Sequence, residues 1–243
     1  MREQVELSAR MRALTEMVTP GNRVCDVGCD HGWVSIYLVQ QGISPRVLAM
    51  DVRKGPLSRA RKHISQRGLE TYIETRLSDG VSGMEAGEAD TVLCAGMGGR
   101  LMRRILEEGR EKLESVGELI LQPQSELRVF RAYLRGSGYG IAAEDMVYED
   151  GKYYPMMKAV PRAERQETTL AADDQALRDC FGELLLAHRH PVLKQYLLAS
   201  EQNCGQILGQ LKHGAADRER VALRCRELEE ERRLILLALD RYY

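Results

Sequence analysis

From about residue 23 to residue 135, apolar runs of four or five residues alternate with stretches in which apolar positions return every three or four residues. The runs Arg23 to Val27, Val47 to Met50, Ile73 to Leu77, Thr91 to Cys94 and Glu118 to Leu121 predict strands. Apart from Ile73 to Leu77 they are mainly apolar, so both faces should be buried. The stretches Gly32 to Gln41, Gly55 to Arg67, Gly99 to Glu108 and Ser125 to Arg135 predict the intervening helices. Leu7, Met11, Leu14 and Val18 add an amphipathic helix in front, closed by Pro20-Gly21. This alternation implies a parallel sheet covered by helices on both faces. Two longer extended runs, Gly140 to Tyr148 and Tyr153 to Val160, flank Glu149-Asp-Gly-Lys152 and predict a terminal antiparallel hairpin.

Strand signals end near Arg162. Leu193, Leu197, Ser200, Cys204, Ile207 and Leu211 are spaced by alternating fours and threes, and so are Val221, Cys225, Leu228, Arg232, Ile235 and Leu239. Two such helices, the first opening at Pro191 and the two separated at His213-Gly214, should fold back as an antiparallel hairpin or short coiled coil. The expected fold is therefore α/β: a Rossmann-like sheet over residues 1–161, with a lead-in helix within residues 1–20, and a helical coiled-coil domain over residues 162–243.

Charge narrows the partners. With 35 basic and 36 acidic side chains the net charge is −1, so any nucleic-acid contact must come from a local patch. Residues 161–243 carry 13 basic and 14 acidic side chains and form no general polyanion clamp. An aromatic content of 5% argues against a platform on which successive single-stranded bases stack. The six cysteines lack paired Cys-x-x-Cys clusters, so buried reduced thiols are expected and no metal. The amino-terminal residues lack a basic stretch followed by an apolar run, and no window resembles a membrane span, which fits a cytoplasmic enzyme.

In a doubly wound sheet the ligand lies beyond the carboxyl ends of the strands. The first predicted strand ends in Asp26-Val-Gly-Cys-Asp-His-Gly32. Gly28 and Gly32 allow close approach, and the helix opening near Trp33 offers free N–H groups to an anionic ligand end. The Gly-x-Gly-x-x-Gly spacing of dinucleotide sites is missing, and Asp30 would repel a pyrophosphate. A carboxylate there suits the cationic amino group of a methionine moiety, which points to S-adenosylmethionine. Asp51, at the second strand end, can accept from ribose hydroxyls. Asp79, at the third, can accept from the adenine amine, with Gly80 letting the ring lie flat. Ala95, Gly96, Met97, Gly98 and Gly99, after the fourth, should lie beside the transferable methyl group. Each of these turns alone is ordinary loop vocabulary, but three at successive strand ends are not. His31 could cover the sulfonium or be an exposed turn histidine, and Trp33 is read as core. Arg100, Arg103 and Arg104 could contact phosphate beside the site.

Leu7-Ser-Ala-Arg-Met-Arg12, Asp26 to Gly32, Asp51 with Gly55-Pro56, Ser78-Asp79-Gly80, Ala95-Gly-Met-Gly-Gly99, Leu121-Gln-Pro-Gln124 and Gly151-Lys-Tyr-Tyr154 together resemble the TrmK family of bacterial tRNA (adenine-22-N1)-methyltransferases. The resemblance implies a class I methyltransferase fold, S-adenosylmethionine as donor with S-adenosylhomocysteine as product, tRNA as partner, and a carboxyl-terminal arm that helps hold tRNA. It adds Arg10 and Arg12 to the expected tRNA contacts, with Gly99 and the three following arginines. Asp30, His31 and Met97 are the catalytic candidates, and the expected state is a monomer or weak homodimer. Adenine N1 carries its own lone pair, so positioning rather than a strong base should supply the rate. Because N1 lies on the pairing edge, the base must be unpaired or extruded. The rival readings are methylation of a protein or metabolite, a non-catalytic donor- or RNA-binding adaptor, and a nicotinamide oxidoreductase.

Overall fold

The computed structural model describes residues 4–162, 171–213 and 218–243. By its internal contacts the chain divides into two units, Met1–Gln166 and Glu167–Tyr243, a few residues beyond the division expected after residue 161.

The first unit is built on seven strands: β1 (Val24–Val27), β2 (Val47–Asp51), β3 (Ile73–Leu77), β4 (Thr91–Met97), β5 (Glu118–Pro123), β6 (Tyr139–Glu149) and β7 (Lys152–Pro161). Their order across the sheet is β3-β2-β1-β4-β5-β7-β6. The first five are parallel, and β6 and β7 join β5 as an antiparallel hairpin. The chain runs outward from β1 to β3 and then crosses back to β4, so the β1/β4 boundary is the switch point where a crevice opens beyond the strand ends.

Alternation along the strands feeds two cores, which explains why the sequence reads as continuous apolar runs. Leu48, Met50, Val92, Cys94, Leu119 and Leu121 pack on one face. Val47, Ala49, Leu93 and Ile120 pack on the other. The helices of this unit are α1 (Ala9–Glu16), α2 (Trp33–Gln40), α3 (Lys54–Gln66), α4 (Gly99–Glu108), α5 (Arg110–Leu113) and α6 (Leu127–Gly136). Ser8 caps α1, its Oγ accepting from the Met11 N–H at 3.4 Å. The α3 helix buries Pro56, Leu57, Ala60 and Ile64 and turns its remaining face outward. Burial of an aliphatic side chain such as Leu57 or Ile64 contributes about 1.5–3 kcal/mol, enough to hold a helix whose outer face carries mainly charge.

The second unit is helical: α7 (Ala172–Phe181), α8 (Glu183–Ala187), α9 (Pro191–His213) and α10 (Arg218–Tyr242). The last two run antiparallel, because Arg232 meets Glu201 at 2.6 Å while the Tyr243 hydroxyl donates to the His190 carbonyl at 3.0 Å. The expected separator at Gly214 lies outside the described residues. The buried stripe departs from the expected one. On α9 Leu208 is buried where Ile207 was expected, and on α10 Leu234, Ile235 and Ala238 are buried while Leu239 is only half-buried. Burial on α9 returns after eleven residues, from Leu193 to Cys204 and from Leu197 to Leu208. That period follows an unstrained helix and drifts off a strict heptad.

None of the six cysteines, all among the described residues, is in a disulfide; four are buried and Cys180 and Cys225 half-buried. No helix among the described residues is long and apolar enough to cross a membrane.

Candidate active site

Beyond the tips of β1 and β4 lies a cavity of about 660 Å³. Asp26, Gly28, Asp30, His31 and Ala95 line it, together with the amino-terminal segment Gln4 to Ser8, Met11, Trp33 and Arg67. Five of the sequence-derived site residues thus meet on one concave surface. Asp51 is tied to them through backbone, because its Oδ2 accepts from the Asp30 N–H at 3.2 Å. Asp79 and Gly80 sit apart from this cavity, at the end of β3. Asp79 accepts from Arg104 Nη2 at 3.1 Å, and the space a Cβ at Gly80 would need is filled by Ile105.

The strand-tip carboxylates sit in different settings. Asp26 is 3% exposed and accepts from the Ser35 hydroxyl at 2.6 Å. Burial pushes its pKa up to about 6, against the lowering effect of that hydrogen bond, while nearby Asp51 raises it further. Asp51, also buried, uses Oδ1 for the Arg53 N–H at 2.8 Å and Oδ2 for the Asp30 N–H. A carboxylate offers about four acceptor positions, so about two remain for a ligand's hydroxyl groups. Asp30 is half exposed, lies in the left-handed region at φ 48°, and faces His31 at 3.5 Å and Arg59 at 3.9 Å.

Gly28 has φ 77°, and a Cβ there would overlap the Met97 methyl. Met97 therefore reaches from β4 across the β1 turn. The β4–β5 ladder slips between Ala95 and Met97, leaving Gly96 as a bulge at φ 75°. The freed Gly96 N–H donates to Gln122 Oε1 at 3.2 Å, and Arg10 Nη1 approaches the same oxygen at 3.5 Å. Both neighbours are donors, which fixes the amide orientation of Gln122. Gln122 is fully buried, and its Nε2 has no partner among the described residues; the same holds for Arg10 Nε. Arg10 lies over the Tyr154 ring at 4.5 Å. An unmet buried donor costs about 1–3 kcal/mol, so this corner suits a ligand that accepts hydrogen bonds.

The remaining expectations fare unevenly. Trp33 is corrected: it is 36% exposed, stacks on His63 at 4.1 Å and walls the cavity rather than entering the core. It opens α2, so its side chain stands at the mouth of the strand-end crevice instead of facing the sheet. His31 is half exposed, receives Arg59 Nε at 3.3 Å, and its carbonyl lies 3.0 Å from His63 Nδ1. Arg10 turns inward, whereas Arg12 is exposed. Arg100, Arg103 and Arg104 each face a carboxylate, in Glu126, Glu107 and Asp79. Gly99 lies against the Ser125 carbonyl, where a Cβ would not fit; it closes helix against loop. Gly98, at the N-terminus of α4, has Ser125 Oγ beside it, and Gly32, in the left-handed region, starts α2 against Ala60. Sequence reasoning missed the Gln4 to Ser8 wall, Arg67, and the pairing of Gln122 with Gly96. Among the described residues no group of three or more His, Cys, Asp and Glu side chains could hold a metal ion.

Residues 7–157 match the family model described as a methyltransferase domain. The chain is 29% identical to the tRNA (adenine(22)-N(1))-methyltransferase of Bacillus subtilis, over 98% of each chain. It is similar to the crystal structure of the B. subtilis M1A22 tRNA methyltransferase TrmK, at 27% identity and TM-score 0.84, covering 97% of this chain and 99% of that one. A Streptococcus pneumoniae protein solved in complex with S-adenosyl-L-methionine aligns at 30% identity and TM-score 0.82, over 96% of this chain and all of that one.

Proposed function

We propose, because the chain belongs to the methyltransferase-domain family and within it to the TrmK group, that it transfers a methyl group from S-adenosylmethionine to N1 of adenine-22 in tRNA. The observation that supports this most is the single cavity in which Asp26, Gly28, Asp30 and His31 meet Ala95, next to a fully buried Gln122 amide with an unmet donor. The residues fit the donor. For its ammonium group the buried Asp26 carboxylate, lining the cavity, takes the place of the half-exposed Asp30 expected from the sequence; the α2 start supplies free N–H groups for its carboxylate, and Asp51 keeps acceptor capacity for ribose hydroxyls. Asp79 with Gly80 remains the proposed adenine end, which requires the Asp79 carboxylate to share itself with Arg104. When bound, the donor supplies an electrophilic methyl on a sulfonium.

The protein's own work is positional. Met97 and the Gly96 bulge wall the methyl side, and Gln122 fixes that bulge through the Gly96 N–H. The Gln122 amide is itself enclosed, so it acts on the target base only through the bulge that it positions. Asp30 and His31, at the half-exposed rim, can orient groups; the positive charge leaves the sulfonium with the methyl group and stays on the methylated adenine, so no proton has to be taken from N1. Orientation of this kind is worth up to about 7–11 kcal/mol of barrier.

The finer parts of the reading follow from the same source: a short coiled-coil arm in α9 and α10 that helps hold tRNA, supported by their antiparallel pairing, and action in the cytoplasm as a monomer or weak homodimer. Labelled-methyl transfer to purified tRNA, protein and metabolite pools tests the reading. Label is expected in tRNA alone, and label confined to protein or metabolites contradicts it.

A further inference from the structure

Residues 52–69 contain no acidic side chain, where the chain average would place two or three, and carry Arg53, Lys54, Arg59, Arg61, Lys62 and Arg67. Because α3 buries Pro56, Leu57, Ala60 and Ile64, its charges fall on the opposite face. Arg53, Lys54, Arg59, Arg61 and Lys62 are exposed. Few of these charges are neutralised. Arg53 and Arg59 reach Asp51 and Asp30 only at 3.7 Å and 3.9 Å. Arg61 donates to the Thr75 hydroxyl at 2.7 Å, and neither Lys54 nor Lys62 faces a carboxylate among the described residues. The contrast is α4, whose three arginines each hold a carboxylate, two of them within 3.1 Å.

The cationic face also joins the cavity. Arg59 reaches His31, His63 packs between His31 and Trp33 with ring centroids 5.9 Å and 4.1 Å away, and Arg67 lies 5.1 Å over the Trp33 ring. His31, Trp33 and Arg67 are themselves cavity wall. In a chain of net charge −1, this face is continuous with the site, its Lys54, Arg61 and Lys62 face no carboxylate among the described residues, and Coulomb repulsion among its side chains opposes the helix.

We infer that the outer face of α3 is a docking surface for the sugar-phosphate backbone of the RNA substrate, guiding it past His31 and Trp33 toward the cavity. This rests on the tRNA reading above. Phosphate contacts of this type set affinity and register without reading sequence, and each contributes close to one unit to the slope of log affinity against log salt.

The test measures binding of an unmodified tRNA transcript to the full chain over a range of salt concentrations, for wild type, Arg61→Gln/Lys62→Gln, Lys54→Gln and, as a control at an exposed cation just before β2, Arg46→Gln. Expected are a slope shallower by about two for the double variant and by about one for Lys54→Gln. Affinity should fall by roughly tenfold in the double variant at low salt, with wild-type donor binding by calorimetry and a slope within half a unit of wild type for Arg46→Gln. Wild-type affinity and slope in both α3 variants, with tRNA still bound by the wild type, would overturn the α3 surface alone. A wild-type chain that does not bind tRNA would overturn the surface and the tRNA reading together.

Discussion

The two halves of the strand-end crevice are built on opposite principles. At the β1 and β2 tips, the polar groups are satisfied within the protein before any ligand arrives: Asp26 by Ser35, and Asp51 by the Arg53 and Asp30 backbone. At the β4 and β5 tips, a bulged glycine leans on a buried amide whose own donor is left over, and Arg10 Nε beside it is left over too. The first arrangement suits one ligand held in one pose, the proposed donor. The second holds donors that have no partner among the described residues and are enclosed behind the bulge, so it acts on an entering base through the shape of that bulge.

The comparison can be broken at either half. The largest expected effect is Gly28→Val. A β-branched residue at φ 77° is strained, by about 1–3 kcal/mol for such a backbone, and its Cβ overlaps Met97. Calorimetric donor affinity should fall by roughly 100-fold. Next is Gln122→Glu, which keeps acceptors for the Gly96 N–H and Arg10 but removes the unmet donor. Turnover should fall by roughly 10- to 100-fold, as for a displaced wall at the reacting centre, with donor affinity unchanged. Equal losses in both quantities would erase the distinction between the halves.

Asp51→Ala should weaken donor binding by roughly tenfold, the equivalent of one or two hydrogen bonds, and leave single-turnover chemistry at saturating donor near wild type. The smallest effect is one of pH. The Asp26 carboxyl must be ionised to hold an ammonium group, and its pKa is raised to about 6. Donor affinity should be level above pH 7 and fall as pH drops through about 6, by roughly twofold at that pH. Asp26→Asn should bind weakly at all pH values and lose this dependence.

How much of this was legible in the sequence follows from which forces are local. The central parallel strands were readable because burial on both faces leaves apolar runs, as at Val47–Asp51 and Thr91–Met97; the edge strand Ile73–Leu77, mostly polar and less buried, and the helix Gly99–Glu108 also fall where they were expected. The short helices α5, α7 and α8 were not, since one to three turns carry too little periodicity. The turn carboxylates were visible as residue types at strand ends. Gln122 was visible only as part of a motif, because its partner Gly96 is brought to it by lateral pairing of β4 with β5, a contact across 26 residues. Trp33 was misjudged for a related reason: apolar character predicts burial, but a position at the first turn of α2 faces the crevice. Arg100, Arg103 and Arg104 read as a patch able to contact phosphate; each also faces a carboxylate, and one of those partners, Glu107, sits four residues from Arg103. The α3 helix, in a stretch with no acidic side chain from Val52 to Leu69, was the more informative charge pattern.

The central claim is that the crevice joins a sulfonium donor to N1 of a tRNA adenine. Its most direct test is to incubate unmodified tRNA with the purified chain and labelled S-adenosylmethionine, then map the label by nuclease digestion and mass spectrometry. The expected product is 1-methyladenosine at position 22 alone; label on another atom or base, or tRNA left unlabelled while donor binds, would contradict the claim.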